Sequence, residues 1–214
     1  PPEIHHIAKL SNLTIEETIK RLVKAGLDSI PGGGAEILDD EARKTVSPNK
    51  INSASWLGVM EEAHKQGLKT TATMMFRKTD SAEIIVGHFD KIRSLQDKTG
   101  GFTAFIPWPF QPGNSELDDE SVTALEYLRV LSLARIYLDN VPNIQVSWVT
   151  QGAKVAQIGL FFGGNDFGSV MIEENVVKAA GANFRLKTEE IKHIIKSAGF
   201  TPKIRNMQYD IIGE

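Results

Sequence analysis

The chain contains no cysteine. That absence excludes disulfides, Cys-ligated zinc, and any iron–sulfur cluster held by thiolates of this chain itself. No apolar run approaches the roughly 20 residues that cross a bilayer. Charge of one sign is not in excess either. The 24 Lys and Arg are mixed with 27 Asp and Glu for a net −3, so no basic stripe argues for nucleic acid. There is no initiator Met and no signal-like segment, and Pro1-Pro2 reads as an internal position of a longer protein or a processed end. The five histidines, His5, His6, His64, His88 and His193, show no metal-ligand spacing with nearby acids, so no metal ligand is assigned and His64 and His88 read as structural. The chain is 214 residues long and 41% hydrophobic, an ordinary globular composition, and the expectation is a cytoplasmic protein with neither nucleic acid nor membrane as partner.

Turn signals divide the chain into a regular alternation. Leu13 to Gly26 has helical apolar spacing behind a Thr14/Glu17 capping box, and Leu27 to Ile30 is a short strand. Ser53 is expected to cap a helix ending at Gly67, with a Thr- and Met-rich strand from Lys69 to Phe76 after it. Asp80 with Glu83 predicts a capping box for the next helix, which Gly100-Gly101 closes. Phe102 to Ile106 is a buried strand, and Pro107, Pro109 and Pro112 predict that it stops there and becomes a stiff loop. Asp118 to Asn140 is expected to be the longest helix, buried on more than one side. Strands at Ile144 to Val149 and Phe167 to Ile172, helices at Gln151 to Phe162 and Glu173 to Ala180, a helix capped by Thr188, and an extended Lys203 to Ile212 complete the reading. Five strand–helix units in sequence have the rhythm of a parallel α/β fold. Either the sheet is open, or the units are the second part of an eight-stranded barrel.

In such folds ligands sit at the carboxyl ends of the strands. There the chain places Pro31 to Glu36, Phe76 to Asp80, Pro107 to Asn114, Trp148 to Gln151 and Ser169 to Asn175. The triplet Gly32-Gly33-Gly34 allows either a close backbone approach to a ligand or a plain tight turn. Glu36 is either a base or a first-turn acid favoured by a helix dipole. Trp108 and Phe110 are either core or a sandwich for a planar ring, and Gln111 and Asn114 carry amides for a polar ligand.

The runs Asp28-Ser-Ile-Pro-Gly-Gly-Gly-Ala-Glu-Ile-Leu38, Thr70-Thr-Ala-Thr-Met-Met-Phe76 and Phe105-Ile-Pro-Trp-Pro-Phe-Gln-Pro-Gly-Asn114 resemble one family. So do Leu95-Gln-Asp-Lys-Thr-Gly-Gly-Phe102, Val146-Ser-Trp-Val-Thr-Gln-Gly152 and Asn165-Asp-Phe-Gly-Ser-Val-Met-Ile-Glu-Glu-Asn175. The family is the radical S-adenosylmethionine enzyme cyclic dehypoxanthinyl futalosine synthase, of the futalosine route to menaquinone. Its relatives, aminofutalosine synthase and the deazaflavin-cofactor synthase subunits, and an inert barrel fragment are the alternatives. An aldolase- or isomerase-type barrel is a rival outside that family. It would want a Lys or Arg at the strand ends, where only Arg77 and Lys78 stand.

The resemblance implies an α/β fold, a parallel (β/α) barrel of the radical S-adenosylmethionine type. About five of its eight units are present here, strands four to eight, with residues 184–214 as a carboxyl-terminal extension. It implies S-adenosylmethionine and a four-iron four-sulfur cluster as cofactors, the cluster's C-x-x-x-C-x-x-C loop lying before Pro1. An electron donor such as flavodoxin or ferredoxin is implied as partner. The implied reaction begins with abstraction of the ribose C4′ hydrogen of dehypoxanthine futalosine by a 5′-deoxyadenosyl radical. The carbon radical then adds to the aromatic ring, and loss of an electron and a proton gives the spiro product. Thr73, Met75, Phe76, Ile106 and Pro107 would hold the cofactor's adenosine. Gly33, Trp108, Gln111, Trp148 and Glu174 would face substrate, and Glu36, Asp166 and Glu173 are candidate proton acceptors. One departure stands out: the family continues Gly-His-x-Glu after Met-Met-Phe, whereas this chain has Arg77-Lys78-Thr79-Asp80, which predicts crowding of the adenosine.

With no thiolate to offer, the chain by itself is expected to bind no cluster. Anaerobic incubation with iron and sulfide should leave no cluster absorbance after desalting, and a stable chromophore would contradict this.

Overall fold

The capping box at Thr14 forms as its spacing predicts. The Thr14 hydroxyl accepts the Glu17 N–H at 3.1 Å, and the Glu17 carboxylate accepts the Thr14 N–H at 2.9 Å. These bonds start α2 (Ile15–Lys24) in the computed structural model, which describes residues 1–113, 117, 119–170 and 184–213. Before it lies a helix absent from the sequence reading, α1 (Pro2–Ser11), whose Pro2 stands where a missing N–H costs nothing. The parallel sheet is built from β1 (Ser29–Ile30), β2 (Lys69–Phe76), β3 (Phe102–Pro109) and β4 (Asn143–Ile144), in sequential order. β1 pairs with β2 in parallel, Ser29 opposite Lys69 and Ile30 opposite Thr70. Helices α3 (Asp40–Val46), α4 (Ser53–Lys65), α5 (Ala82–Thr99) and α6 (Ala124–Tyr137) connect these strands, and α7 (Trp148–Gly159) comes after β4. Helix α8 (Thr188–Ser197) and an antiparallel pair, β5 (Ile204–Arg205) with β6 (Ile211–Gly213), end the chain.

Several expectations are corrected. Ser53 does not cap α4: Asn52 does, accepting the Ser55 N–H at 2.8 Å, while Ser53 is held by Asp40. Ser81 rather than Asp80 caps α5, because the Asp80 carboxylate is already bound to Arg77. The cap of α8 is Lys187, one residue before Thr188. β3 does not stop at Ile106 but runs through Pro107 to Pro109, and the Phe110 N–H donates to the Phe76 carbonyl at 2.8 Å. A proline costs a strand nothing where its missing N–H had no partner to meet. Helix α6 starts at Ala124 behind a second capping box, Thr123 with Glu126, and the longest helix among the described residues is the 18-residue α5. Among the described residues α6 buries Tyr127, Leu128, Val130, Leu131 and Ala134, whereas Leu125 and Ile136 are 56% and 75% exposed. The strand expected from Ile144 to Val149 ends early, since Trp148 already belongs to α7. Left-handed Gly152 (φ 75°) kinks that helix after its first turn. Of the strand expected at Phe167 to Ile172, residues 167–170 are not in a strand and the last two lie outside the described ones; just before it, Asp166 makes a single parallel bridge with Gln145. So does the helix expected from Glu173 to Ala180. The tail from Lys203 is a hairpin rather than one extended run.

The chain divides into two compact units. The first comprises Pro1–Met74, Ser81–Phe105 and Asn140–Pro142. Its core is Trp56, Met60, Ala72, Met74, Phe89 and Phe102, with Trp56 and Phe102 stacked at 6.4 Å between centroids. The second comprises Met75–Asp80, Ile106–Asp139 and Asn143–Glu214, and buries Phe76, Tyr127, Leu131, Val146 and Trp148.

Both structural histidines lie in the first unit. His64 joins α4, α5 and β2 through Thr99 and Thr70, each 2.7 Å away, with its ring edge-on to Phe102. Burial lowers its pKa to about 4, with a smaller push from the Lys69 charge. His88 is fully buried and accepts the Leu38 N–H on Nδ1 at 3.0 Å. Burial, then the Lys91 and Arg43 charges, lower its pKa to about 3.

The surroundings of His64 can be probed from both sides. A Cβ on Gly101 would fall inside the His64 imidazole. Gly101→Ala is therefore expected to destabilise by about 1–3 kcal/mol in urea denaturation, and an unchanged midpoint would refute the packing. Unfolding returns each imidazole to its ordinary value near 6.5, so between that pH and about 4 the unfolded chain binds more protons. The contribution of neutral His64 is full above pH 6.5 and is lost as pH falls through that window. The stability advantage of wild type over His64→Asn should shrink from pH 7 to pH 4, and a constant difference would contradict it.

Candidate functional site

After β1 the chain must turn beside the backbone of β2, and the three glycines divide that work. A Cβ on Gly32 would stand 2.7 Å from the Thr73 nitrogen, so no side chain fits. Its N–H donates to the Thr71 hydroxyl at 3.0 Å and its carbonyl accepts from Thr73 Oγ1 at 2.6 Å. Gly32 thus serves packing rather than an anion nest, and the Thr73 hydroxyl is already engaged. Gly34 turns in the left-handed region (φ 75°) against Pro2. Gly33 alone faces open space, with its carbonyl held by Trp56 Nε1 at 3.2 Å.

Two residues on, Glu36 also has left-handed backbone (φ 45°), a conformation that costs a non-glycine residue about 1–3 kcal/mol. It is no first-turn acid, because α3 begins only at Asp40, behind an Asp39 cap. The loop is held by Arg43, 3% exposed. Its guanidinium donates to the carbonyls of Gly34 (3.3 Å), Ala35, Ile37 (3.4 Å) and Ile51. Leu38 is fixed at both ends, its N–H on His88 and its carbonyl on Lys91. The Glu36 carboxylate, 9% exposed, pairs with Lys50. Lys50 also borders a cleft of about 400 Å³ with Ser29, Pro31, Gly33 and Gly34.

In the second unit, Met75 and Phe76 are 7% and 2% exposed, Pro107 is buried, and Ile106 and Trp108 are half-buried. The Gln111 amide donates to the Pro109 carbonyl at 3.0 Å, a bond that folds it over its own loop. Trp148 is 1% exposed and packs as core. Arg77 folds back onto Asp80, which accepts the Arg77 N–H at 2.7 Å and guanidinium bonds at 2.8 and 3.2 Å, with Asp119 at 3.8 Å. Asp166 is taken by the tail. Arg205 Nε pairs with Oδ2 and Nη2 donates to Oδ1 at 3.1 Å, while the Gly168 N–H donates to Oδ1 at 2.6 Å. Tyr209 stacks on that guanidinium 3.7 Å from the ring centroid, and burial pushes the phenol up to about 12.

Glu173, Glu174 and Asn114 lie outside the described residues. Within the first unit the structure sets Gly33, Glu36 and Thr73 around one loop. Within the second, Met75 and Phe76 end β2, Ile106, Pro107 and Trp108 lie within β3, Gln111 follows that strand, and Asp166 lies under the tail. Sequence reasoning missed Lys50, Arg43 and Arg205. Each is a lone cation whose partner is fixed by the fold and not by spacing. No cluster of three or more His, Asp or Glu suited to a metal occurs among the described residues, and none of their helices is long and apolar enough to cross a membrane.

Comparison with known proteins gives a consistent result. Cyclic dehypoxanthine futalosine synthase of Halalkalibacterium halodurans is 45% identical over 99% of this chain and 58% of its own length. The 5-amino-6-(D-ribitylamino)uracil–L-tyrosine 4-hydroxyphenyl transferase of Archaeoglobus fulgidus is 42% identical over 99% of the chain and 63% of its own length. Aminodeoxyfutalosine synthase of Thermus thermophilus is 40% identical over 97% and 58%. The chain thus spans little more than half the length of the curated relatives it matches. Residues 99–213 match the family model described as the CofH/MqnC C-terminal region, and the chain belongs to that family.

Proposed function

We propose that the chain is the carboxyl-terminal part of a radical S-adenosylmethionine cyclase that makes cyclic dehypoxanthine futalosine for menaquinone synthesis. Its strands would be four to eight of a parallel barrel. The observation that carries this reading is the 45% and 44% identity, over 99% and 97% of the chain, to two proteins of that name. The Trp108-Pro-Phe-Gln-Pro-Gly-Asn114 run supports it, as the feature that sets this enzyme apart from its relatives. The cytoplasm and a flavodoxin- or ferredoxin-type electron donor belong to the same proposal.

The cluster does not fit this chain's own residues, which include no thiolate, and it would be held by residues outside it. S-adenosylmethionine would be held in part by this chain. Thr73 within β2 and Ile106 within β3 each keep part of their surface exposed, and these residues would lie against its adenosine. Bound beside its cluster, it supplies hydrogen-atom abstraction. Met75, Phe76 and Pro107 then serve as the apolar floor beneath, keeping water from the reacting carbon. Gly33, Trp108, Gln111 and Glu174 would line the substrate, with Trp148 serving as packing. The proton lost on rearomatisation would pass to Glu36, Asp166 or Glu173.

The 42% identity to a tyrosine 4-hydroxyphenyl transferase favours one second reading, transfer of a hydroxyphenyl group. The complete enzyme, reconstituted anaerobically with a reductant and S-adenosylmethionine, distinguishes the two. With dehypoxanthine futalosine it is expected to give 5′-deoxyadenosine and a product two hydrogen atoms lighter than substrate. Turnover only with tyrosine and the ribitylaminouracil would replace the first reading with the second.

A further inference from the structure

Of the described proton-acceptor candidates, only one has an oxygen to offer. Both Asp166 oxygens are occupied, by the two arms of Arg205 and by the Gly168 N–H. A guanidinium does not give up its proton, nor does a backbone amide, so protonating Asp166 would break this fork. Glu36 differs. Lys50 takes Oε1, and Oε2 has no partner among the described residues. The loop holds it in place, since the carbonyls of Gly34, Ala35, Ile37 and Leu38 are all tied down by Arg43 or Lys91 while Glu36 itself has left-handed backbone. Strain held in place by such a frame is a mark of a working position. Lys50 is 43% exposed against 9% for Glu36, and borders the cleft beside Gly33 and Gly34.

We propose that Glu36 is the catalytic proton acceptor, that Lys50 is its positioning residue, and that Asp166 is a structural clasp for the tail. This rests on the cyclase reading above. In the step, the substrate C–H bond breaks, the proton forms an O–H bond at Glu36 Oε2, and the C–H electron pair stays with the substrate carbon. Lys50 donates to Oε1 throughout, which fixes the rotation of the carboxylate and leaves Oε2 to accept the proton.

The test compares variants of the complete enzyme by cyclised product per 5′-deoxyadenosine formed, by kcat and KM for cyclised product, and by thermal midpoint. Glu36→Gln is expected to go on releasing 5′-deoxyadenosine while product falls about 100-fold. Lys50→Met should lower kcat about tenfold or more with KM and midpoint little changed, and Lys50→Arg should restore most of it. Asp166→Asn should show first in the midpoint, with a product ratio closer to wild type than that of Glu36→Gln. If Lys50→Arg is as poor as Lys50→Met, or Asp166→Asn uncouples while Glu36→Gln does not, the assignment is wrong. A wild-type enzyme that makes no cyclised product instead removes the cyclase reading beneath it. A productive wild type with a coupled Glu36→Gln removes this inference alone.

Discussion

A guanidinium buried with only carbonyls bonded to it is the constraint on which the first unit depends. Arg43 is 3% exposed, and every bond it makes is to a backbone oxygen. Desolvation lowers its pKa, offset by the nearby Glu36 and Asp40 charges, yet a guanidinium starts so high that it stays charged. A buried charge is tolerable only when dipoles surround it, so carbonyls come to its two Nη groups, while Nε is buried without a hydrogen-bond partner. They come from both sides of α3: three from the loop after β1, and Ile51 from just before α4. One side chain thereby fixes the exit of the strand, the left-handed turn at Glu36 and the entry of the next helix. Asp40 closes the same joint by accepting from the Ser53 N–H and hydroxyl at 2.8 and 2.7 Å. Those two bonds lower its pKa, and they draw Ser53 away from the capping role its sequence position suggests.

Legibility of the fold tracks the range of the forces involved. β2 runs from Lys69 to Phe76 as its composition predicts, Thr14 caps α2, and left-handed Gly100 ends α5, because each is set by neighbours within a few residues. The sequential order of the parallel strands is also readable, as the rhythm of the units dictates it. Errors cluster where a distant partner decides. The prolines of β3 read as a stop, but strand pairing needs only the N–H groups that have partners, and Phe110 resumes pairing on Phe76. α3 is seven residues long and too short for a periodic signal, although its Asp39 cap is there to be read. The apolar surface of α6 at Leu125 and Ile136 suggests a burial that the described residues do not supply.

The candidate site is legible as positions and not as chemistry. Glycine next to a strand end correctly marks a close approach, but at Gly32 the approaching group is the β2 backbone and not a ligand. Trp148 reads as facing substrate, whereas it opens α7 and is 1% exposed, as core. Carboxylates can be counted from the sequence, but which oxygens are free cannot. That depends on Lys50, fourteen residues from Glu36, and on Arg205, thirty-nine from Asp166.

Arg77 shows how a departure from a pattern is absorbed by its surroundings. Placed at the end of β2 where the related motif has glycine, it is expected from sequence to thrust a cation over the adenosine. The chain carries the remedy three residues later. Asp80, 9% exposed, accepts the Arg77 N–H with one oxygen and the guanidinium with the other, so the side chain is drawn back along its own turn. The same turn is fastened further along, with Thr79 donating to Asp119 at 3.0 Å and Lys78 paired with Glu120. A long cation held by a buried carboxylate has little freedom to sweep the space beyond the strand, because leaving would strand Asp80 without its partner. Bulk at this position is therefore directed into the turn, and the sequence departure does not by itself argue against an adenosine at the strand ends.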